Sequence, residues 1–491
     1  MKKTTSSKQQ GLVFVAFSAI LSMSACSIIP KPLDNDAHRE KMSRDMDRLF
    51  SLAEVETIPD VISLEFATSR VFTHNFESRL FQLNEALATS QVTSDQMEML
   101  PTLAASAGFA NRNNDPSTID TSTQSGEQRR NTANLSLSWN VLDFGLSYYT
   151  AKQNADRVLI AKQQRRRVAQ ELLREVHSAY WRVASVEPFV NNKAKIISDA
   201  QAALDDIRRI EQQQLSPLID NLNQQRSLIE LIASLQELQY QLEVDRATLA
   251  SLMGLPPTTR LVLEPPLQQK FEVPKIKLDL AEMEQLALFQ RPELIEERYN
   301  QRIDELEVRK AFLQLLPNVN LAWTAFYDGN SFLANNYWNE VSGRVAGNLL
   351  NLATGNRRLL PRRMSQEVSE MRRLALSMAV LTQVNISYQD YLFSLKEFDK
   401  MSDLNKIEQR LLELTRSGFE SNAQSNIDLI SAELRAMFSQ INHYRAHARV
   451  QRAYSALLNS IGQDNLQSRG QQSEKVANEQ LKSPSVTANG L

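Results

Sequence analysis

The chain has one cysteine and only 13 glycines among its 491 residues, and neither sign of charge predominates. A single cysteine excludes an internal disulfide framework. The 55 Lys and Arg residues balance 57 Asp and Glu, and no basic block stands out, which argues against a nucleic-acid-binding surface. Beyond the N-terminus no apolar run approaches the length of a membrane-spanning helix, so any crossing of a membrane has to use strands.

Sequence patterns that carry catalytic chemistry are absent as well. There is no Ser/His/Asp order with a supporting motif, no Gly-rich phosphate loop and no zinc-ligand spacing. His443 and His447 lie four residues apart, a spacing that can bind a metal, but no further ligand is placed to complete a set. We interpret this pair as part of a polar helix face, and His177 as interfacial packing beside Tyr180 and Trp181. We predict no enzyme, no cofactor and no metal site.

Residues 1–25 are typical of a secretory signal peptide. Three lysines among the first eight residues form a positive region, and the apolar run at 11–21 is too short to remain as a spanning helix. The sequence Leu-Ser-Met-Ser-Ala then leads to Cys26, which resembles the lipobox of bacterial lipoproteins. We predict that Cys26 is lipidated and becomes the mature N-terminus. The alternative is an ordinary signal peptide with an incidental cysteine.

Fixed offsets between similar segments predict that the chain contains two copies of one unit. An offset of 216 residues and another of 208 each relate several positions. The first relates Leu64, Asn75, Leu100 and Pro101 to Leu280, Arg291, Leu316 and Pro317, and the second relates Ile219, Asp220, Met253 and Gly254 to Ile427, Asp428, Ile461 and Gly462. We place the copies at 60–255 and 276–463, with a lipidated segment at 26–59, a linker at 256–275 and a polar tail at 464–491.

Long coiled-coil helices are predicted within each copy. Between Gly145 and Gly254 there is no glycine, and a heptad seam from Leu228 to Leu252 is leucine except at Asp245. A second seam follows the positions Met371, Leu374, Met378, Leu381, Asn385, Tyr388, Leu392 and Leu395. The alternative is the buried face of ordinary bundle helices. A helix from Gly145 to about 212 would be on the order of 100 Å long, which favours a coiled coil, although Pro188 should kink or break it.

Four segments alternate with a period of two residues and predict strands at 102–110, 134–142, 318–327 and 341–350. Each has an apolar face, and the opposite faces carry Ser, Asn, Thr and Arg344. About 9 to 11 residues suffice for a tilted strand to cross a bilayer. The polar loops at 111–132 and 328–340 are expected outside the cell. Because the smallest membrane barrels have about 8 strands, several chains must share one barrel.

These features together resemble the TolC/OprM outer-membrane efflux family over nearly the whole mature chain. The stretch from Arg291-Pro-Glu-Leu294 to Leu316-Pro317 resembles a family motif, and Trp139 to Gly145 resembles the family's strand-to-helix exit. Residues 419–433 resemble its helix-tip motif, with Asn422 in place of a glycine. The resemblance implies a mainly α fold with a transmembrane β-barrel portion that is completed by a homotrimer in outer-membrane lipid. It also implies a periplasmic helical tunnel that docks, through a periplasmic adaptor, on an inner-membrane pump of the RND, MFS or ABC type.

The predicted function is that of an outer-membrane channel, lipid-anchored, that passes small molecules out of the cell. A type I protein secretion channel shares this architecture, and a structural coiled-coil envelope lipoprotein is a further alternative. Phe419, Asn422 and Ser425 are candidate adaptor contacts implied by the tip motif. Asp220 and Asp428 follow the two predicted helix turns. They are either acids favoured by the start of a helix or a carboxylate cluster at the tunnel entrance.

Overall fold

The computed structural model describes residues 33–53, 58–114, 126–190, 193–213, 217–264, 273–421 and 423–463. The predicted signal peptide, Cys26, Asn422 and the predicted tail at 464–491 lie outside these residues. Residues 1–57 form one unit, of which helix α1, Asn35–Ala53, is described. Residues 58–491 form the second unit. No helix of the described ranges combines the length and the apolarity needed to cross a membrane.

The second unit repeats one order of elements. Its first half contains α2 (Leu64–His74), α3 (Phe76–Glu98), β1 (Thr102–Asn111), β2 (Arg129–Asn140), α4 (Val141–Val190), α5 (Lys193–Gln212) and α6 (Leu218–Leu252). The second half contains α7 (Leu280–Gln290), α8 (Pro292–Leu313), β3 (Asn318–Asp328), β4 (Tyr337–Ala346), α9 (Leu349–Glu420) and α10 (Asn426–Ile461). With 72 residues, α9 extends roughly 108 Å.

In each half a single residue at an equivalent position ends the first helix and starts the second. Asn75 is both the C-cap of α2 and the N-cap of α3, and its side chain accepts hydrogen bonds from Glu77 N and Ser78 N. Arg291 holds the equivalent place between α7 and α8, where Pro292 begins the new helix. Proline is suited to a first helical position because its fixed φ is helical and its missing N–H has no partner there.

A set of contacts that we call the clasp closes each half, where its last helix meets the corner between its first two helices. In the first clasp, Arg70 Nε donates to Met253 O at 3.1 Å and Asn75 Nδ2 donates to Leu252 O at 3.0 Å. Gly254 follows with φ +68°, and a Cβ there would lie 2.7 Å from His74 O. Only glycine combines this backbone conformation with so close an approach.

In the second clasp, Arg291 Nη1 donates to Asn459 O and Ser460 O at 3.4 Å, and Arg166 Nη2 donates to Gly462 O at 3.1 Å. Gly462 has φ +79°, and a Cβ there would lie 3.0 Å from the carbonyl carbon of Gln290. The two clasps thus use positions related by the offsets found in the sequence.

The four strands form one antiparallel sheet in the order β1-β2-β3-β4. The pairing of β2 with β3 joins the two halves of the chain. Two strand ends differ from the prediction, because Val141 is the first residue of α4 and Leu349 the first of α9. β2 and β4 also start earlier than predicted, at Arg129 and Tyr337. Both edge strands are exposed along their whole length in the single chain.

The first heptad seam packs as predicted. Leu228, Leu242 and Leu249 are almost fully buried, and Asp245 is buried among them. The first half of the second seam, which includes Met371, Leu374 and Met378, is exposed and is not covered by the chain itself. The chain buries a different face of α9, which consists of Val380, Val384, Ser387, Tyr391 and Ser394. Several of these residues share a core cluster with Met283, Leu294 and Leu457.

Candidate functional site: two sheet faces and two helical turns

One face of the sheet is apolar along rows that run across all four strands. The strand register aligns Leu103, Leu137, Trp323 and Val341 in one such row. Leu135, Leu137, Leu321 and Trp323 of this face are between 39% and 46% exposed. Asn131 and Asn339 are polar exceptions near the loop end. The alternation predicted from the sequence therefore produces a continuous apolar surface that the chain itself does not cover.

The opposite face is mainly polar. Thr324 Oγ1 donates to Ser136 Oγ at 3.1 Å, and Ser106 Oγ hydrogen-bonds to the Asn134 side chain across β1 and β2. Glu340 and Arg344 extend from the edge strand β4 and are exposed. A sheet with one apolar and one polar face is suited to separating lipid from water.

An aromatic pair interrupts the polar face near its loop end. The rings of Phe326 and Trp338 are stacked with their centroids 5.2 Å apart and their planes at 16°. The next row toward the loops contains Asp328, whose carboxylate accepts hydrogen bonds from Arg130, one of them from Nε at 2.8 Å. Sequence reasoning missed this pair because it counted the alternation of apolar residues on the other face only.

The two helical turns lie at the same end of the bundle. Ala203, Leu204 and Ile207 from the end of α5 form a core cluster with Leu228 of α6 and Leu434 of α10. Ile427 and Ile430, from the first turn of α10, pack against this cluster. The first turn of α10 therefore packs against the hairpin of α5 and α6 in the first half.

The two candidate acids at these turns have different surroundings. Asp428 belongs to a capping box, in which Asp428 N donates to Ser425 Oγ at 3.1 Å and Ser425 N donates to Asp428 Oδ2 at 3.2 Å. Asp220 lies in the first turn of α6 behind Pro217, which offers no side-chain cap. Asp220 is exposed and forms no salt bridge with any residue that the structure describes. Helix initiation accounts for Asp428 more fully than for Asp220.

The candidate tip residues surround a tight turn. Phe419 is 38% exposed in the last turn of α9, and Ser425 is the exposed N-cap of α10. Between them, Ala423 N and Gln424 N donate to Gly418 O at 2.8 and 3.2 Å. A Cβ on Gly418 would lie 2.6 Å from Gln424 Cγ. A side chain at position 418, four residues before Asn422, would thus displace the Gln424 side chain, a close approach that the motif comparison did not detect.

The histidine pair is buried, and its predicted place on a polar helix face is wrong. His443 and His447 are 8% and 5% exposed and pack around Phe398, and His447 also contacts Trp181. Burial lowers the pKa of His443, and nearby Lys406 lowers it further. Burial lowers the pKa of His177 to about 4. Among the described residues no group of acids, histidines and cysteines is arranged to hold a metal.

Asp245, which interrupts the first seam, belongs to one of the partly buried ion pairs that join α4 and α6. Arg182 Nε donates to Asp245 Oδ1 at 2.7 Å, and Arg246 donates to Glu187 at 2.6 Å. Burial lowers the pKa of Arg452, and Arg182 and other neighbouring arginines add to this effect. Asp245 opposes the shift, so its carboxylate balances more than one positive charge.

Comparison with known proteins agrees with this geometry. Residues 75–255 match the family model described as outer membrane efflux protein. No curated protein matches the chain. Three of the similar solved structures are the outer-membrane channel OprN (16% identity, TM-score 0.64, 81% of this chain and 89% of that chain), the MtrE outer membrane channel of Neisseria gonorrhoeae in its open state (16%, 0.63, 81% and 88%) and the CmeC outer membrane channel of Campylobacter jejuni (12%, 0.66, 92% and 97%). At these identities the likeness shows the fold.

Proposed function

We propose that this chain, whose residues 75–255 match the outer membrane efflux protein family model, forms an outer-membrane channel that passes small molecules from the periplasm to the cell exterior. The observation that carries the proposal is the 4-stranded sheet, which has an apolar face, a polar face and two exposed edges at one end of long helices. In a closed barrel the apolar face would contact lipid and the polar face would line a water-filled path.

The exposed edges support assembly from several chains. An unpaired edge strand leaves a row of backbone groups without partners, and a membrane has no water to satisfy them. β1 and β4 run in opposite directions, so β4 of one copy can pair antiparallel with β1 of the next. We infer a homotrimer, as in the family that the chain resembles.

An exposed apolar stripe on α9 supports the same assembly. Met364, Val368, Met371, Leu374 and Met378 recur at spacings of three and four residues and are 47% to 65% exposed. Such a stripe has the period of a helix interface. The joint substitution Met371→Glu and Met378→Glu should convert a detergent-stable trimer to smaller species, measured by native mass spectrometry. Gln389→Glu, on an exposed face of the same helix, should not. A trimer that tolerates both glutamates would contradict this interface.

The channel function is tested by conductance. Purified protein reconstituted in planar bilayers should give discrete current steps. Glu340→Lys on the polar face should shift ion selectivity toward anions, because the charge of the lumen wall sets the local ion concentration. Asn339→Lys, its neighbour on the apolar face, should impair insertion instead. Protein that inserts as a stable oligomer and gives no current under any voltage would refute the proposal.

At the helical end we propose that Phe419, Asn422 and Ser425 contact a periplasmic adaptor, which links the channel to an inner-membrane pump. The exposed ring of Phe419 beside the polar N-cap Ser425 supports such a docking tip. Crosslinking from Phe419 replaced by a photoreactive residue should capture the adaptor in cells. Capture from Leu218 alone, at the other turn, would place the contact there instead.

We also propose that Asp220 and Asp428 line the tunnel entrance. Their equivalent places in the first turns of α6 and α10 support this placement, and gathered carboxylates would concentrate cations. Asp220→Asn should lower cation selectivity in planar bilayers at low salt without changing the melting temperature. Asp428→Asn should lower both the cation selectivity and the melting temperature, because Asp428 also caps α10. If a variant with both substitutions has unchanged ion selectivity, the two acids serve only to start their helices and do not line the entrance.

We propose further that Cys26 anchors the protein to the outer membrane. The lipobox-like sequence before it supports acylation. Intact-mass spectrometry should show a lipid-modified N-terminus at Cys26. A protein cleaved elsewhere, or an unmodified Cys26, would refute the anchor and leave the channel proposal unaffected.

A further inference from the structure

We propose that Phe326, Trp338 and Glu340 form a binding site for planar organic cations at the outer end of the polar sheet face. The proposal rests on the proposed function, because this face lines a lumen only if the sheet closes into a channel. The site would lie on the exit path, close to the loops that connect the strands.

The strand register brings the three side chains to one place. Phe326 and Trp338 are directly opposite each other on β3 and β4, and Thr324 and Glu340 are the next pair on the same face. Residues two apart in a strand are separated by about 7 Å, a distance that one fused ring system can bridge. A planar cation stacked on the indole of Trp338 would therefore have its charge within reach of the Glu340 carboxylate.

The charges of the site select for a cation. Aromatic faces carry the negative part of the ring quadrupole and attract cations. Glu340 is exposed and forms no salt bridge with any residue of the described ranges, whereas Asp328, the other acid on this face, is paired with Arg130. Arg344 lies four residues further along β4, about 13 Å away. The negative charge of Glu340 is therefore available to a ligand.

The aromatic pair could instead serve only to stabilise the sheet, since cross-strand aromatic pairs do so in many proteins. The two roles differ in one measurable respect. A purely stabilising pair has no preference for a ligand charge, and its loss lowers the melting temperature without affecting binding. Trp338 is 40% exposed, which leaves ring surface for a ligand.

Binding is tested with ethidium as the planar aromatic cation and full-length protein in detergent. Anilinonaphthalene sulfonate serves as an aromatic anion and tetraethylammonium as a non-aromatic cation. Trp338→Leu and Glu340→Gln should each weaken ethidium binding roughly fivefold, a change typical of a partly exposed cation–π contact. Trp338→Phe should retain most of the affinity, and Tyr337→Leu, which removes the neighbouring ring on the apolar face, should leave it unchanged.

Two results would overturn the site. One is wild-type protein that binds ethidium no better than the anion. The other is a Tyr337→Leu variant that loses as much affinity as Trp338→Leu.

Conductance measurements separate failure of the binding site from failure of the channel function. Ethidium should reduce the current through wild-type channels and have less effect on Trp338→Leu channels. Normal conductance without ethidium binding would refute the site alone, and binding without any conductance would refute the lumen and the placement of the site in it.

Discussion

Replacing Asp245 by leucine tests whether the break in the α6 heptad seam is a defect or a necessary charge. The other positions of the seam are leucine, so the pattern alone predicts that Asp245→Leu stabilises the helix packing. The structure predicts the opposite. The Asp245 side chain is 7% exposed and accepts a hydrogen bond from Arg182 Nε at 2.7 Å. The neighbouring arginines lower the pKa of Arg452, and the negative charge of Asp245 counteracts this effect.

The size of the effect follows from burial. Breaking a buried ion pair costs about 3 to 5 kcal/mol because the remaining charge is uncompensated. The Arg182 side chain is 33% exposed, so water screens part of that cost, and the new leucine recovers part through apolar burial. We expect a net loss of about 2 kcal/mol. At about 2 °C per kcal/mol for a large chain, the melting temperature should fall by about 4 °C.

The assay is thermal unfolding of the purified protein, followed by tryptophan fluorescence in one detergent. The double variant Arg182→Met with Asp245→Leu should recover much of the loss, because neither charge of the pair remains. Thr248→Leu, on the exposed face of the same helix, controls for added apolar volume and should change little. A higher melting temperature for Asp245→Leu alone, or no recovery in the double variant, would show that the seam and not the charge governs stability here.

Three further outcomes are expected. Ser425→Ala should cost about 1 kcal/mol, seen as a lower melting temperature, because Asp428 N loses its capping acceptor; an unchanged melting temperature would contradict the cap. Leu137→Arg on the apolar face should cost about 2 to 4 kcal/mol and abolish the detergent-stable oligomer on gels, whereas Ser136→Arg on the polar face should assemble. His177 has a folded-state pKa of about 4 against 6.5 unfolded, so the unfolded state binds the proton more readily. Stability should therefore fall as the pH drops from 6.5 toward 4, by about 2 kcal/mol at pH 5, and His177→Phe should flatten this dependence in pH-dependent melting curves. An identical pH profile in that variant would exclude His177 as the cause.

Much of the backbone plan was predictable because it follows from local periodicity. The offset that relates Leu64 to Leu280 marks the first residues of α2 and α7, and the offset that relates Gly254 to Gly462 marks two left-handed helix ends. The apolar faces of the strands followed from alternation and agree with the register. Such patterns are reliable because the backbone geometry of a helix or strand fixes which residues share a face, whatever that face packs against.

Predictions were less successful where they depended on which other residues of the fold cover a given face of a helix or strand. α9 has apolar residues on more than one face, and periodicity alone does not say which face its own chain covers. Met371 was placed in a coiled-coil seam and is exposed in the single chain, whereas Tyr391 is buried. His443 was assigned to a polar face for the same reason, since the Phe398 that covers it lies on the preceding helix α9. The Phe326–Trp338 pair likewise arises only from the pairing of two strands.

Because of where the clasps lie, the helical hairpins can change in length while the contacts that close each half stay the same. Each one joins the end of a hairpin's last helix to the corner between the first two helices of the same half, through contacts such as Arg70 to Met253 O and Arg291 to Ser460 O. The tips of the hairpins take no part in these contacts. Matched insertions or deletions of whole heptads in α9 and α10, and in the corresponding helices of the first half, would leave both clasps and the sheet in place. Relatives that must span envelopes of different width could therefore arise by changing hairpin length alone, without redesign of the membrane end.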